Sequence, residues 1–168
     1  EDIGERLTAH TVRIQQLQAS ETPGAASELH KISAQAARDL RQYSETVDER
    51  VPQLEDSIDR FVENYSGYLG WLEPNTEEEF EALISLRDSQ VQMLDSARAA
   101  LVGIRNMRDA TRGLRDLGIS RDMNRASQQT ARTLDRVIST YEKIEAFAAR
   151  ALTTIDRNLD QRGDSAHA

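Results

Sequence analysis

The sequence predicts an all-α protein, an elongated antiparallel bundle of three long helices and a shorter first helix with coiled-coil-like packing. Apolar residues recur at steps of three and four over long stretches, which keeps one face of each helix directed at a partner. Only eight glycines and three prolines occur in 168 residues. Capping and helix-breaking residues separate the periodic stretches. We assign residues 1–161 to a single helical-bundle domain and expect residues 162–168 to form a disordered tail.

Two helices are predicted in the first part of the chain. Helix 1 covers about residues 2–19, and its apolar stripe is Ile3, Leu7, His10, Ile14 and Leu17. A break follows at Thr22-Pro23-Gly24, where Thr22 is the predicted N-cap of helix 2 and Pro23 suits a first helical position. Helix 2 covers about residues 24–72, and its stripe is Leu29, Ile32, Ala36, Leu40, Tyr43, Val47, Val51, Leu54, Ile58, Phe61, Tyr65, Tyr68 and Leu72. Because the stripe stays in phase across Pro52, we predict one kinked helix.

An aromatic segment ends helix 2 and leads into helix 3. It holds five of the eight aromatic residues of the chain, which are Phe61, Tyr65, Tyr68, Trp71 and Phe80. Pro74 ends helix 2 because proline lacks an amide donor and disfavours helical geometry in the preceding residue. Thr76 and Glu79 have the spacing of a capping box, which predicts the start of helix 3. We interpret most of these aromatic side chains as core, since the first three continue the helix 2 stripe.

Two more helices complete the predicted bundle. Helix 3 covers about residues 77–117, with inward positions Phe80, Ile84, Val91, Leu94, Ala97, Leu101, Ile104, Met107, Thr111, Leu114 and Leu117. Gly118 is the predicted C-terminal stop, and Ser120 is the predicted N-cap of helix 4. Helix 4 reaches about residue 161 through Met123, Ala126, Thr130, Leu134, Val137, Tyr141, Ile144, Ala148, Ala151, Ile155 and Leu159.

The first helix is too short to cover the whole groove between the others. At about 1.5 Å per residue, helices 2 to 4 would be roughly 60–70 Å long, and helix 1 less than half of that. The other half of the bundle also has second apolar flanks at Val62, Leu69, Leu83, Leu86, Ile138, Phe147 and Leu152. Large exposed apolar areas mark interaction sites. We therefore expect this half to bind a helix of a second copy or of a parent protein, with Trp71, Phe147 and Leu152 as contacts.

Composition limits the classes of function. The net charge of −8 argues against nucleic acid as a partner, since phosphate binding favours a basic surface. The chain has no cysteine, and no apolar run reaches the roughly 20 residues of a membrane span. None of the three histidines has Glu or Asp three residues before it, so a ferritin-like metal site is not expected. We find no catalytic motif and predict no enzyme and no cofactor.

Charge is unevenly distributed along the chain. Twelve acidic residues and two arginines lie between Glu45 and Glu81. Six arginines lie between residues 105 and 125, namely Arg105, Arg108, Arg112, Arg115, Arg121 and Arg125. Two interpretations stay open for this arginine set. Its members pair with carboxylates of neighbouring helices, such as Glu21, Glu28 and Asp39, or they bind a small carboxylate or another anion.

His10 is the one histidine on an apolar stripe. A histidine in this position can act as a pH switch or bind a ligand. The simpler expectation, which we prefer, is a side chain hydrogen-bonded at the edge of the core. The Arg-Gly-Asp-Ser sequence at residues 162–165 is similar to an integrin-binding sequence, but four residues in a tail carry little specificity.

Two functional hypotheses follow from these patterns. The first is a non-catalytic interaction or scaffold module, the soluble part of a larger bacterial protein, which associates through helix packing. The second is an extracytoplasmic sensor domain that binds a small anion near the arginine set. Its general shape is similar to the four-helix input domains of bacterial chemoreceptors and sensor kinases, an analogy at the level of fold. Both a cytoplasmic and an extracytoplasmic location are compatible with the sequence.

Overall fold

A computed structural model shows an all-α bundle, as the sequence predicts. The four helices are α1 (Ile3–Gln18), α2 (Ala25–Leu69), α3 (Glu77–Asp116) and α4 (Arg121–His167). The structure describes the backbone of residues 2–69 and 76–167, and the side chains of residues 2–66 and 76–160. The predicted stop at Pro74 and the predicted contact Trp71 lie outside the described residues.

The chain divides into two compact units. Unit 1 comprises residues 1–52 and 103–138, and unit 2 comprises residues 53–102 and 139–168. Each of the three long helices contributes one segment to each unit, whereas α1 belongs to unit 1 alone. The assignment of residues 1–161 to a single domain therefore stays a prediction, and the two units are described separately.

The core of unit 1 is formed by all four helices. Its buried cluster consists of Leu7, Ile14, Ala36, Ala37, Leu40, Leu114, Met123 and Ala126. Every one of these except Ala37 lies on a predicted stripe. Burial of large aliphatic side chains stabilises a fold by roughly 1.5–3 kcal/mol each, so Leu7 and Ile14 fix α1 on the unit. Alanines on α2 and α4 occupy little space, which allows these helices to approach closely.

Hydroxyl groups connect α2 and α4 inside unit 1. The Oγ1 of Thr130 is 2.8 Å from the carbonyl oxygen of Ala126 and 3.1 Å from that of Leu40, so its one hydrogen is shared between two helices. Thr133 donates to the carboxylate of Asp48 at 2.8 Å. Buried hydroxyls need such partners because an unpaired polar group in a core costs about 1–3 kcal/mol.

The core of unit 2 contains Leu83 on α3 and three residues of α4, which are Phe147, Ala151 and Ile155. The rings of Phe61 and Phe147 meet edge to face at 5.3 Å between centroids, a favourable geometry for aromatic pairs. Phe61 also contacts Tyr65, with ring centroids 4.4 Å apart. The interpretation of Phe61 as core is therefore supported, although Tyr65 is 39% exposed.

The predicted inward face of α3 is wrong in its first part. Ile84 is 41% exposed, whereas Leu83 and Gln90 are buried. The buried positions 83, 90, 94, 97 and 101 repeat at heptad-like steps, with a polar residue at one of them. A stripe drawn through apolar residues alone passes over Gln90 and selects the neighbouring positions 84 and 91. From Leu94 onward the predicted and observed faces agree.

Helix ends agree well with the predicted caps. The amide of Glu79 donates to the Thr76 hydroxyl at 3.2 Å, and the amide of Thr76 donates to the Glu79 carboxylate at 3.3 Å, which completes the capping box. Ser120 caps α4 by accepting the amide of Met123 at 3.1 Å. Gly118 has a φ of 64°, the left-handed conformation that favours glycine after a helix.

Two helix boundaries differ from the prediction. Thr22 is not the N-cap of α2, because the first helical bond runs from the Glu28 amide to the carbonyl of Gly24, whose φ is 87°. Pro52 lies inside one continuous α2, as predicted, and the kink expected there stays a prediction. The backbone of α4 continues to His167, beyond the predicted end near residue 161. Gly163 does not end it, since an interior glycine costs a helix only about 1 kcal/mol.

Candidate functional site

The arginine set lies entirely in unit 1, and most of its members already have partners there. Asp135 of α4 accepts hydrogen bonds from Arg108 at 3.2 Å and from Arg112 at 3.5 Å. Arg115 binds its neighbour Asp116 at 3.3 Å, and Arg105 also interacts within the chain. One carboxylate thus occupies two guanidinium groups of the predicted anion site. The interpretation that arginines of the set pair with a neighbouring helix is supported for Arg108 and Arg112, and their partner is Asp135.

None of the three carboxylates expected to pair with this set forms an ion pair with it among the described residues. Glu28 binds Arg13 of α1 at 2.6 Å, and Asp39 binds His10. Glu21 is exposed in the turn between α1 and α2 and forms no ion pair with a described residue. The sequence showed that carboxylates were available, but it did not show which of them face α3.

Arg121 and Arg125 are the two exposed members of the set without an ion pair to a described residue. Both are exposed at the start of α4, and neither forms an ion pair within the described part of the chain. The adjacent Asp122 is bound to Arg41 of α2. A cation near a helix N-terminus is repelled by the helix dipole, so the helix end does not offset the positive charges of these two side chains.

His10 is part of a hydrogen-bonded group between α1 and α2. Its Nε2 donates to one oxygen of Asp39 at 2.9 Å, and Gln35 donates to the other oxygen at 3.1 Å. The guanidinium of Arg6 is 3.9 Å from the same carboxylate. The Asp39 side chain is only 7% exposed. The expected role of His10, a hydrogen-bonded residue at the edge of the core, is confirmed, whereas the buried carboxylate was missed because aspartate rarely lies on a core face.

A cleft in unit 1 was not predicted from the sequence. Its volume is about 790 Å³, and α1, α2 and α3 all contribute to its walls. The lining residues are Asp2, Ile3, Gly4, Glu5, Thr8, Ala9, Tyr43, Gly103, Ile104, Asn106, Met107 and Ala110. Partial burial, and secondarily the charge of Asp2, raises the pKa of Tyr43 above its ordinary value. The sequence signal that could have indicated this cleft is the set of small residues on α1 and α3, namely Gly4, Ala9, Gly103 and Ala110.

The predicted contacts in unit 2 are only partly accessible. Phe147 is 3% exposed and belongs to the core cluster, so the expectation that it forms an exposed contact is wrong. Leu152 is half-buried, and Trp71 lies outside the described residues. Phe147, which the sequence places on a second apolar flank of α4, is part of the core of unit 2.

Comparisons with known proteins assign no function. No protein-family model matches the chain, and no curated protein or solved structure was found to be similar to it. Among the described residues, no group of three or more His, Asp or Glu side chains could hold a metal ion. The same residues include no helix apolar enough over a sufficient length to cross a lipid bilayer.

Proposed function

We propose that this chain is a non-catalytic interaction module and that unit 2 binds an amphipathic helix with a basic polar face. The observation that carries the proposal is that unit 2 combines half-buried apolar side chains with a net charge of −9, on three helix segments among the residues that the structure describes. Helix packing supplies the affinity in this mode of recognition, and charge selects the partner.

Unit 1 shows how a fourth helix is accommodated by this chain. There α1 packs its Leu7 and Ile14 into the core, and His10 binds Asp39 of α2. On the α3 side, a Cβ at Gly4 would lie only 3.7 Å from the Sδ of Met107. The α1 helix therefore covers adjacent faces of α2 and α3. In unit 2 no segment of α1 is present, and the apolar residues of α2 and α3 there again recur at helical steps.

Four apolar residues of α2 and α3 are half-buried in unit 2. They are Leu54 and Phe61 on α2 and Leu86 and Met93 on α3. Three of the four, all but Leu54, pack against the unit 2 cluster while keeping part of their surface accessible. We call these four residues the groove residues. Covering apolar surface stabilises a complex by roughly 25 cal/mol per Å², so four such side chains form a useful docking strip.

The charge of unit 2 specifies the partner. Unit 2 contains sixteen acidic and seven basic residues, a net charge of −9, whereas unit 1 contains thirteen and fourteen, a net charge of +1. The surplus of acidic charge in the chain therefore belongs to unit 2. Complementary charge accelerates association and disfavours partners of like sign. A helix that is apolar on one face and rich in Lys and Arg on the other fits both properties.

The test is binding of a fluorescent amphipathic Leu/Lys helical peptide, compared with a Leu/Glu peptide of the same pattern. Met93→Glu places a charge among the groove residues and should weaken binding of the Leu/Lys peptide about tenfold or more. Ala99→Glu adds the same charge at an exposed position on another face of α3 and should change affinity less than about twofold. Equal affinity for both peptides, or equal effects of both variants, would refute the proposal.

Sedimentation over a wide concentration range measures the oligomeric state, and so tests whether a second copy of the chain occupies the groove instead of a partner helix. A dimer that Met93→Glu dissociates and Ala99→Glu leaves intact would assign the groove to another copy of the chain, against a basic partner helix. A monomer at all concentrations is the expected result, since two copies with net charge −9 in unit 2 repel each other.

A sensor for a small anion is the second candidate function, and the accessible pair Arg121 and Arg125 favours it. A dicarboxylate or sulfate bound there should raise the melting temperature by mass action, beyond the effect of a neutral salt. Replacing both arginines by glutamine should abolish the shift. Replacing Arg108 by glutamine should leave the shift in place, because Asp135 already holds that side chain.

A further inference from the structure

The cleft of unit 1 has a floor that is apolar and open to ligands. Ile3, Ile104 and Met107 supply its apolar side chains. Gly4 and Ala9 on α1 and Gly103 and Ala110 on α3 lack the bulk to fill it. A Cβ added at Gly103 would meet no atom within 4 Å, which shows directly that this wall faces free space. Clefts of 300–1,000 Å³ with apolar linings are typical of small-molecule sites.

The charged groups among the described lining residues of the cleft are all carboxylates, accompanied by the neutral polar side chains of Thr8, Tyr43 and Asn106. Asp2 and Glu5 supply carboxylates, and the lining contains no Lys, Arg or His among its described members. Asp2 occupies the N-cap position of α1, yet its side chain makes no capping hydrogen bond and so keeps its acceptors. The Thr8 hydroxyl donates its hydrogen bond to the carbonyl oxygen of Gly4 at 2.9 Å, so the lone pairs of its oxygen can accept a hydrogen bond from a ligand.

Tyr43 of α2 adds an aromatic ring to the lining of the cleft. Rings and carboxylates together are what quaternary and protonated amines bind, by cation–π attraction and by charge pairing. A carboxylate ligand would instead meet two like charges without a compensating cation, which disfavours it.

We infer that the cleft formed by α1, α2 and α3 in unit 1 binds a small organic cation, an amine or ammonium compound with an apolar or aromatic body. The apolar part lies on Ile3, Ile104 and Met107, and the cationic group lies towards Asp2 and Glu5. This site is independent of the unit 2 groove, since every one of its residues belongs to unit 1.

The test uses benzyltrimethylammonium as the probe and isothermal titration calorimetry as the measurement. Saturable binding of one probe per chain is expected, with at least about tenfold weaker binding of phenylacetate, which reverses the charge on a similar body. Tetramethylammonium, which lacks the aromatic body, should also bind more weakly than the probe. Asp2→Asn and Glu5→Gln should each reduce the affinity about fivefold, the loss expected for one charge pair about 4 Å apart in water.

Two matched variants separate the cleft from the rest of the surface. Gly103→Phe fills the cleft and should abolish binding of the probe. Gly113→Phe places the same side chain on α3 where an added Cβ also meets nothing within 4 Å, but outside the lining, and should leave binding intact. Urea unfolding of both variants checks that each still folds. Absence of saturable binding, equal affinity for phenylacetate, or unchanged binding by folded Gly103→Phe would overturn the inference.

Discussion

Replacing His10 by leucine should destabilise the chain far more than breaking an exposed ion pair between the same two helices. The Nε2 of His10 is the hydrogen-bond donor to one oxygen of Asp39, at 2.9 Å, while Gln35 serves the other oxygen. With the Asp39 side chain 7% exposed, water cannot readily replace the lost donor. Hydrogen bonds to charged groups contribute about 1.5–3 kcal/mol, and leaving a buried charge short of a partner costs more.

The comparison is Arg13→Ala, which removes the ion pair of Arg13 and Glu28. That pair is short, at 2.6 Å, but its side chains are 49% and 55% exposed. Exposed pairs contribute about 0–1 kcal/mol because water competes with them and long side chains lose rotamer freedom. We therefore expect His10→Leu to lower the free energy of unfolding by about 2–3 kcal/mol and Arg13→Ala by less than about 1 kcal/mol.

The assay is urea unfolding followed by the helical circular dichroism signal. A double-mutant cycle with Asp39→Leu should show a coupling of about 1–3 kcal/mol, because two apolar replacements leave no unpaired charge in the core. The slope of free energy against urea is part of the readout, since a smaller slope indicates that α1 has detached before the rest unfolds. Equal costs for His10→Leu and Arg13→Ala, or additive single and double changes, would refute the reasoning.

Three further predictions concern single positions. Gln90→Leu should raise the unfolding free energy by about 1 kcal/mol or more in urea melts, because the buried Oε1 of Gln90 has no partner among the described residues; a lower stability would imply an unseen hydrogen bond. Gly113→Ala should raise it by about 0.5–1 kcal/mol through helix propensity, and an unchanged urea midpoint would contradict this. Tyr43 has a folded-state pKa above its ordinary value of 10.0, so the unfolded state loses its proton first and stability should fall as the pH rises above about 10. Tyr43→Phe should weaken this alkaline loss, and a variant that loses as much stability as the parent above this pH would contradict the reasoning.

The bundle could be predicted because its helices are periodic over many turns and are bounded by local signals. Capping depends on residues three apart, so the pair Thr76 and Glu79 could be identified from sequence alone. The burial of Leu101 and Leu134, at 1% exposure each, follows from the same local periodicity. These features depend on the order of nearby residues, which the sequence contains directly.

The missed features depend on contacts between distant residues. Asp39, Gln90 and Asp135 are polar residues whose placement is decided by helices far away in the chain. Apolar periodicity assigns such residues to the surface, although Asp39 and Gln90 are buried. Phe147 was predicted as exposed for a related reason, since a flank becomes core only when Phe61 of another helix meets it. The division into two units is also a property of contacts among segments distant in sequence.

The shared hydroxyl of Thr130 has a mechanical consequence for unit 1. Its side chain extends only two bonds from the α4 backbone and still reaches the carbonyl oxygen of Leu40 on α2 at 3.1 Å. The two backbones must therefore run close together at this point. Sliding α2 along α4 by one turn, about 5.4 Å, would separate these atoms and bring larger side chains into the narrow space. A force along the axis of α2 or α4 within unit 1 should therefore displace both helices together.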